Sequence, residues 1–169
     1  MTAGSPIQLS PAGWRDMTAG DAPGLEAGRR FSLYRTAAPV SDYIVEFDGR
    51  ILSQSLGWVF RVSDNKNYYA MKLTVLGAET SLVRYAVVGG EPAPETRIKV
   101  PVRIRPDSNI SVRLDVVGPK FTTYVSGQVA DWWTDARLSE GAFGFMNDRE
   151  ARAEIRSMRV LSPGRPVDR

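Results

Sequence analysis

The sequence predicts an all-β fold, a sandwich or jelly roll built from two antiparallel sheets. From Arg30 onward, the chain is a series of short segments in which apolar and polar residues alternate. This is the period of a strand with one buried face. Turn formers separate the segments at intervals of about 8–12 residues, which is typical of sandwiches and jelly rolls. No segment has the apolar period of an amphipathic helix.

The first predicted strands are FSLYR (31–35), DYIVEFDGRIL (42–52), GWVFRV (57–62) and YYAMKLTV (68–75). In the second of these, Tyr43, Val45 and Phe47 share one apolar face, and the other face carries Ile44, Glu46 and further charged residues. The last two are separated by the polar sequence SDNKN (63–67). Asp and Asn bond to their own backbone and tolerate left-handed conformations. These five residues therefore predict the loop of an antiparallel hairpin.

Turns that contain glycine or proline separate the later strands. The predicted strands are SLVRYAVV (81–88), TRIKVPVRI (96–104), SVRLDVV (111–117), FTTYV (121–125), AFGFM (142–146) and AEIRSMRVL (153–161). A looser segment, ARLSEG, precedes the last two. Residues 1–28 are rich in Gly, Ala, Pro and Ser and predict an irregular extension. A single sandwich domain is expected over 29–162, followed by a tail over 163–169.

Composition excludes several classes of chemistry. The 169-residue chain contains no histidine and no cysteine. A Ser-His-Asp triad, a histidine base, a disulfide and a thiolate metal site are therefore excluded. The net charge is only +3, with Arg and acidic residues interspersed, so no nucleic-acid surface is predicted. No apolar run approaches the roughly 20 residues of a membrane span, and no signal peptide is predicted within this chain.

Three stretches, in this order, resemble the concanavalin A-like lectin/glucanase superfamily. They are GWVFRVSDNKNYYAMKL (57–73), SVRLDVVGPKFTTYVSGQVADWWTD (111–135) and EGAFGFMNDREARAEIRSMRVL (140–161). Within the superfamily they are most similar to bacterial laminin G-like and 3-keto-disaccharide hydrolase-like, or family 16 glycoside hydrolase-like, domains. The resemblance implies a concanavalin A-like jelly roll and favours an extracytoplasmic or cell-surface location. Because this fold hosts enzymes, lectins and adhesion modules, function has to be decided by the site.

Glu46 and Asp48 lie on one face of a predicted strand, because side chains alternate along a strand. The resemblance implies that they match the nucleophile and the assisting aspartate of a family 16 glycosidase, which needs two carboxyls about 5–5.5 Å apart. Arg50 occupies the next position on that face, and an arginine does not donate a proton at neutral pH. An enzyme would therefore need an acid from elsewhere, for example Asp131 or Asp135.

The same charges also suit a recognition surface. Outer-face side chains of neighbouring strands would then line one concave, polar surface suited to a glycan. The predicted ligand-binding residues are Glu46, Asp48, Arg50, Arg61, Tyr68, Lys72 and Arg84, with Trp132 or Trp133 at an edge. The structural alternative is a solvated ladder in which the two carboxylates pair with Arg61, Lys72 or Arg84 on neighbouring strands.

Trp132 and Trp133 are adjacent, so in an extended segment one faces the core and the other faces out. An exposed tryptophan would stack on a sugar ring. The alternative is that both are buried, as tryptophan usually is. Asp64 and Asn65 carry side-chain oxygens that could coordinate calcium. Their spacing matches no specific calcium motif, and their role as turn formers explains their presence. No metal or cofactor is therefore predicted, with calcium kept as the alternative.

The sequence favours a non-catalytic recognition module that binds a glycan or another polar small ligand. The superfamily resemblance, the missing third carboxylate and the absence of histidine all favour this function. A glycoside hydrolase with carboxylate catalysis is the first alternative. A structural or protein-interaction domain of a larger protein is the second. The sequence leaves the oligomeric state open.

Overall fold

The computed structural model describes residues 14–17, 30–34, 41–105, 108–147 and 152–163. Regular structure in these ranges consists of strands. In chain order they are β1 (Trp14–Met17), β2 (Arg30–Tyr34), β3 (Tyr43–Ser53), β4 (Ser55–Asp64), β5 (Asn67–Leu76), β6 (Glu79–Val88), β7 (Glu91–Pro92), β8 (Thr96–Lys99), β9 (Ile110–Val117), β10 (Lys120–Val125), β11 (Gln128–Thr134), β12 (Ala142–Asn147) and β13 (Arg152–Leu161). The described part of the chain has no helix that is long and apolar enough to cross a membrane.

The strands form two antiparallel sheets. The larger sheet has eight strands in the order β1-β2-β12-β4-β5-β6-β7, with β8 also paired to β6. The smaller sheet has five strands in the order β11-β10-β9-β3-β13. Consecutive strands β3 and β4 belong to different sheets, so the chain crosses between the layers. This arrangement confirms the predicted jelly-roll sandwich.

The main core lies between the two sheets and is rich in aromatic side chains. Phe60 and Tyr69 of the larger sheet pack against Phe121 and Trp133 of the smaller one. Their ring centroids are 4.9–6.2 Å apart, mostly in edge-to-face geometry. Such pairs stabilise beyond the burial of their area. The cluster therefore fixes the two sheets against each other.

Tyr69 also ties the core to the segment that follows β11. Its hydroxyl donates to Oδ1 of Asp135 at 2.7 Å and accepts from the backbone N–H of Leu138 at 3.0 Å. Burial, with the hydrogen bond to Asp135, raises the pKa of Tyr69 to about 12. The folded protein therefore holds this proton more tightly than the unfolded chain does.

The raised pKa of Tyr69 predicts a loss of stability in alkali. Unfolded Tyr69 ionises near its ordinary pKa of 10.0, whereas the folded residue keeps its proton to about pH 12. Its contribution is complete below pH 10 and is lost as the pH rises through 12. Urea unfolding at increasing alkaline pH should therefore show a steeper loss of stability in the wild type than in Tyr69→Phe. Parallel losses in the two proteins would contradict the assignment.

A β-bulge ends the regular part of β4. Phe60 pairs with Tyr69 and Asp64 pairs with Asn67, so residues 61–63 face Tyr68 alone. Arg61, at the bulge, has a φ of 50°, a left-handed conformation that few non-glycine residues adopt. The bulge also lengthens β4 to Asp64. The predicted five-residue loop over 63–67 is therefore wrong, because the strands meet through a two-residue turn.

The ends of the pattern also differ from the predicted elements. Trp14–Met17 forms β1 and pairs with β2, although the sequence predicts an irregular extension over residues 1–28. The predicted strand over 96–104 is confined to Thr96–Lys99. Pro101 lies two residues after Lys99, and proline cannot donate to a strand ladder. The predicted tail beyond residue 163 lies outside the described residues.

The two sheets differ in what their outer faces present. A second apolar cluster occupies the outer face of the eight-stranded sheet and consists of Leu33, Val59, Val62, Tyr68, Ala70, Tyr85, Val87 and Met146. Strand β4 is buried at every position from 55 to 62, so this sheet is buried on both faces near its centre. In the five-stranded sheet, β9 alternates between buried and more exposed positions. The polar, accessible face therefore belongs to the five-stranded sheet.

Candidate functional site

The predicted ligand-binding residues do not form one surface. Glu46, Asp48 and Arg50 alternate with core residues of β3 and lie on the outer face of the five-stranded sheet. Tyr68 and Lys72 alternate with core residues of β5 and lie on the outer face of the other sheet, where Tyr68 is buried. Arg61 and Arg84 contact side chains of the main core. The prediction of a single shared surface is therefore wrong.

Arg61 has a structural role. Its side chain is 2% exposed, and its guanidinium donates to the carbonyl oxygens of Ser41 at 2.7 Å and Leu138 at 3.2 Å. It also pairs with Asp42 at 3.3 Å and lies 5.2 Å from the ring centroid of Phe121. The bulge directs the side chain inward, which strict strand alternation would not do. Arg61 therefore joins separate loop segments and is not available to a ligand.

Arg84 joins the two sheets. Its Nε lies 2.8 Å from Oδ2 of Asp131, and its guanidinium lies 4.9 Å from the ring centroid of Trp133. Burial raises the pKa of Asp131, while the charge of Arg84 acts in the opposite direction. Asp131 pairs in register with buried Thr123, so it faces the core side of the five-stranded sheet. It is thus on the opposite face from Glu46.

Asp135, the other predicted acid, also has a structural role. Its carboxylate accepts hydrogen bonds from Tyr69 and from the guanidinium of Arg137. Burial alone would raise the pKa of Asp135, but the hydrogen bonds from Arg137 and Tyr69 outweigh burial and lower it. A group with a lowered pKa is a poor general acid. The structure therefore gives Glu46 no acid partner at either predicted position.

A groove of about 730 Å³ lies on the outer face of the five-stranded sheet. It is lined by Glu46, Phe47, Asp48, Ser111, Val112, Arg113, Tyr124, Gly127, Ser157, Met158 and Arg159. We refer to it as the sheet-face groove. Its lining residues come from β3, β9, β10 and β13 and from the turn after β10. Four adjacent strands thus position the site, and the core beneath them makes it rigid.

One row of side chains crosses the sheet-face groove. Tyr124, Arg113, Glu46 and Arg159 are register partners on β10, β9, β3 and β13. Oε1 of Glu46 accepts from Nε of Arg159 at 2.5 Å, and its Oε2 lies 3.9 Å from Arg113. The guanidinium of Arg113 lies 5.4 Å from the ring centroid of Tyr124. The row therefore presents fixed charges beside an aromatic ring.

Asp48 belongs to the neighbouring row. Ser111 donates to its Oδ1 at 2.7 Å, and Ser157 donates to its Oδ2 at 3.4 Å. Arg50 pairs instead with Glu154, at 2.6 Å, and neither residue lines the groove. The predicted ladder partners on β4, β5 and β6 are thus wrong, because β3 lies between β9 and β13 in the other sheet.

Most residues of the sheet-face groove are absent from the set that the sequence predicts. Arg113, Tyr124, Ser157 and Arg159 are register neighbours of β3 or of β9, yet they lie 67 to 113 residues from Glu46 in the chain. Alternation within SVRLDVV and FTTYV marks Arg113 and Tyr124 as outward-facing. In AEIRSMRVL a register shift between Ile155 and Ser157 breaks the alternation, so the sequence pattern does not mark Ser157 and Arg159. The sequence does not show which strands are neighbours in the sheet, and this information is needed to predict the groove.

The adjacent tryptophans lie on opposite faces of β11. Trp133 packs in the core and is 8% exposed, whereas Trp132 is 59% exposed. Trp132 pairs with Thr122, which pairs with Asp115, so it shares the outer face of the sheet with the groove. The ammonium of Lys120 lies 5.1 Å from its ring centroid. The alternative in which both indoles are buried is wrong.

The hairpin turn uses its polar side chains internally. Oδ1 of Asp64 accepts from the backbone N–H of Lys66 at 2.8 Å and from the side-chain amide of Asn67 at 3.0 Å. The Oδ1 of Asn67 in turn accepts from the backbone N–H of Gly89 at 2.9 Å. Among the described residues, no group of three or more His, Cys, Asp or Glu residues is placed to hold a metal ion. Asp64 thus acts here as a turn former.

Comparison with known proteins rests on structure, since no family model and no curated protein matches the chain. The carbohydrate-binding module CBM66 from Bacillus subtilis is 20% identical, with a TM-score of 0.64 over 96% of this chain and 97% of that one. A tetrameric galectin from the ball sponge Cinachyrella sp. is 17% identical, with a TM-score of 0.61 over 78% and 99%. The Emp47p carbohydrate recognition domain is 13% identical, with a TM-score of 0.63 over 90% and 89%. The chain therefore has the concanavalin A-like jelly-roll fold.

Proposed function

We propose that the protein is a non-catalytic carbohydrate-binding module that holds its glycan in the sheet-face groove. The observation that carries the proposal is the row of Tyr124, Arg113, Glu46 and Arg159. It combines hydrogen-bond donors, carboxylate acceptors and an aromatic ring, the groups that recognise the hydroxyls and the apolar faces of sugars. The structurally similar proteins are described as a carbohydrate-binding module, galectins and a carbohydrate recognition domain, which supports this ligand class.

The environments of the groove carboxylates support binding without catalysis. Glu46 is paired with two arginines, and Asp48 accepts from two serines. Neither has the apolar surroundings that make a carboxylic acid a general acid in glycosidases. Asp131 faces the opposite side of the sheet. Hydrogen bonding to a ligand, with no bond cleavage, fits this arrangement best.

The test is binding of the purified protein to a broad glycan array, with calcium and with a chelator. Arg113→Gln removes a groove cation, whereas Arg50→Gln removes a cation from the same sheet face outside the groove. We expect the wild type and Arg50→Gln to bind the same glycans, and Arg113→Gln to lose most of that binding. Chelator should change nothing, because the groove needs no metal to complete its donors and acceptors.

Three results would contradict the proposal. A blank array in both conditions would favour a scaffold or protein-interaction role. Equal losses in Arg113→Gln and Arg50→Gln would place the ligand elsewhere. Release of a glycan fragment, abolished in Glu46→Gln, would show a hydrolase.

A further inference from the structure

We propose that the glycan site extends beyond the sheet-face groove to Trp132, and that its ligand is a neutral oligosaccharide. This inference rests on the proposed function and specifies the ligand class. The row across the groove would hold one polar unit, and the indole of Trp132 would stack on a more distant unit of the same chain.

Exposed apolar side chains continue from the groove toward the edge of the sheet. Val129 is 51% exposed and pairs with Tyr124, which lines the groove. Trp132 lies farther along β11 on the same face and is 59% exposed with Lys120 over its ring. Isolated exposed apolar residues are ordinary, but a strip that continues a polar groove marks an interaction surface. The apolar CH face of a sugar ring suits such an indole.

The separation of the two parts sets the length of the ligand. Trp132 on β11 is two strands away from Arg113 on β9 and one outward-facing row along the sheet. Strand and residue spacings put their Cα atoms about 12 Å apart. A single sugar ring does not reach across this distance, whereas a short chain does. Engagement of both parts therefore requires an oligosaccharide.

The charges along this path are balanced. Carboxylates are contributed by Glu46, Asp48 and Asp115, and cations by Arg113, Arg159 and Lys120. Nε and Nη2 of Arg113 donate to both oxygens of Asp115, and Arg159 is paired with Glu46. A carboxylate or sulfate of an acidic glycan would have to compete with these internal partners. Hydroxyl groups can bond to both signs, so a neutral glycan fits better.

The experiment is calorimetric titration with neutral mono- to pentasaccharide series of glucose, galactose, mannose, xylose and fructose, and with oligogalacturonates as acidic probes. We expect affinity to rise with chain length in a neutral series and to change little with salt. Trp132→Ala should weaken the longest binding ligand roughly tenfold, as for an aromatic contact residue, and leave the shortest unchanged. Trp132→Phe is the matched control and should keep most of the affinity.

The outcomes separate the two proposals. Binding that is independent of chain length, or unchanged in Trp132→Ala, would overturn the two-part site and leave the groove in place. Preference for oligogalacturonates with strong salt dependence would overturn the neutral ligand class. Absence of binding to every probe and to the array would overturn the proposed function itself. Because Trp132 is exposed, an unchanged melting temperature should accompany its loss of affinity.

Discussion

Arg61→Met should lower the free energy of unfolding by about 2–6 kcal/mol, because two carbonyl oxygens lose their donor at roughly 1–3 kcal/mol each. The variant keeps the apolar bulk of the side chain but removes every guanidinium hydrogen bond. The carbonyls of Ser41 and Leu138, held at 2.7–3.2 Å, would lose their donor. Typical domains are stable by only 5–15 kcal/mol, so the loss would be a large part of the total. Urea unfolding measures it.

Arg50→Met is the matched control. Its salt bridge to Glu154 joins two side chains that are 31% and 46% exposed. Exposed pairs contribute less than about 1 kcal/mol, so this variant should be nearly as stable as the wild type. If Arg61→Met behaved like Arg50→Met, the proposed structural role of the bulge would be wrong, and Arg61 would again be open to a functional interpretation.

Glu46→Gln should weaken glycan binding roughly ten- to hundredfold while leaving the fold intact. Glu46 orients Arg159 and lies between it and Arg113, so loss of its charge disturbs the whole row. Hydrogen bonds to charged groups contribute about 1.5–3 kcal/mol, which corresponds to this loss of affinity. Its side chain is 27% exposed, so the change in stability should stay below about 1 kcal/mol. Calorimetric titration and thermal unfolding measure the two effects.

Glu154→Gln provides the comparison for Glu46→Gln. Glu154 lies on β13 and pairs with Arg50 on β3, outside the sheet-face groove. The same chemical change on the same sheet should leave affinity unchanged. Equal affinity of the wild type, Glu46→Gln and Glu154→Gln would show that Glu46 is not part of the binding site.

The alternation of apolar residues was enough to predict an all-β sandwich or jelly roll, and the family resemblance favoured the jelly roll. Tyr43, Val45 and Phe47 are buried in the core as expected, and the strand boundaries of the long central elements agree within a few residues. The pattern also marked Glu46 and Asp48 as outward-facing. Period-two alternation is a property of a single strand, so it can be recognised without knowing which strands are its neighbours.

The residues that form the site could not be predicted from the sequence, for three physical reasons. A β-bulge turns the side chain of Arg61 inward, and no residue type in β4 predicts that bulge. Strand β6 is buried on both faces, so its sequence does not alternate between apolar and polar residues. The inward orientation of Arg84 could therefore not be predicted. The partners of Glu46 come from strands distant in sequence, and their pairing is set by packing of the whole sandwich.

The proposed function requires the glycan to bind the outer face of the five-stranded sheet. The most direct measurement is nuclear magnetic resonance mapping of backbone amides in the isotope-labelled protein, titrated with the glycan selected on the array. We expect shifts concentrated at Glu46, Arg113, Tyr124 and Arg159, extending to Trp132 with longer ligands. Shifts centred on Tyr68 and Lys72 of the eight-stranded sheet, with the groove unaffected, would contradict it.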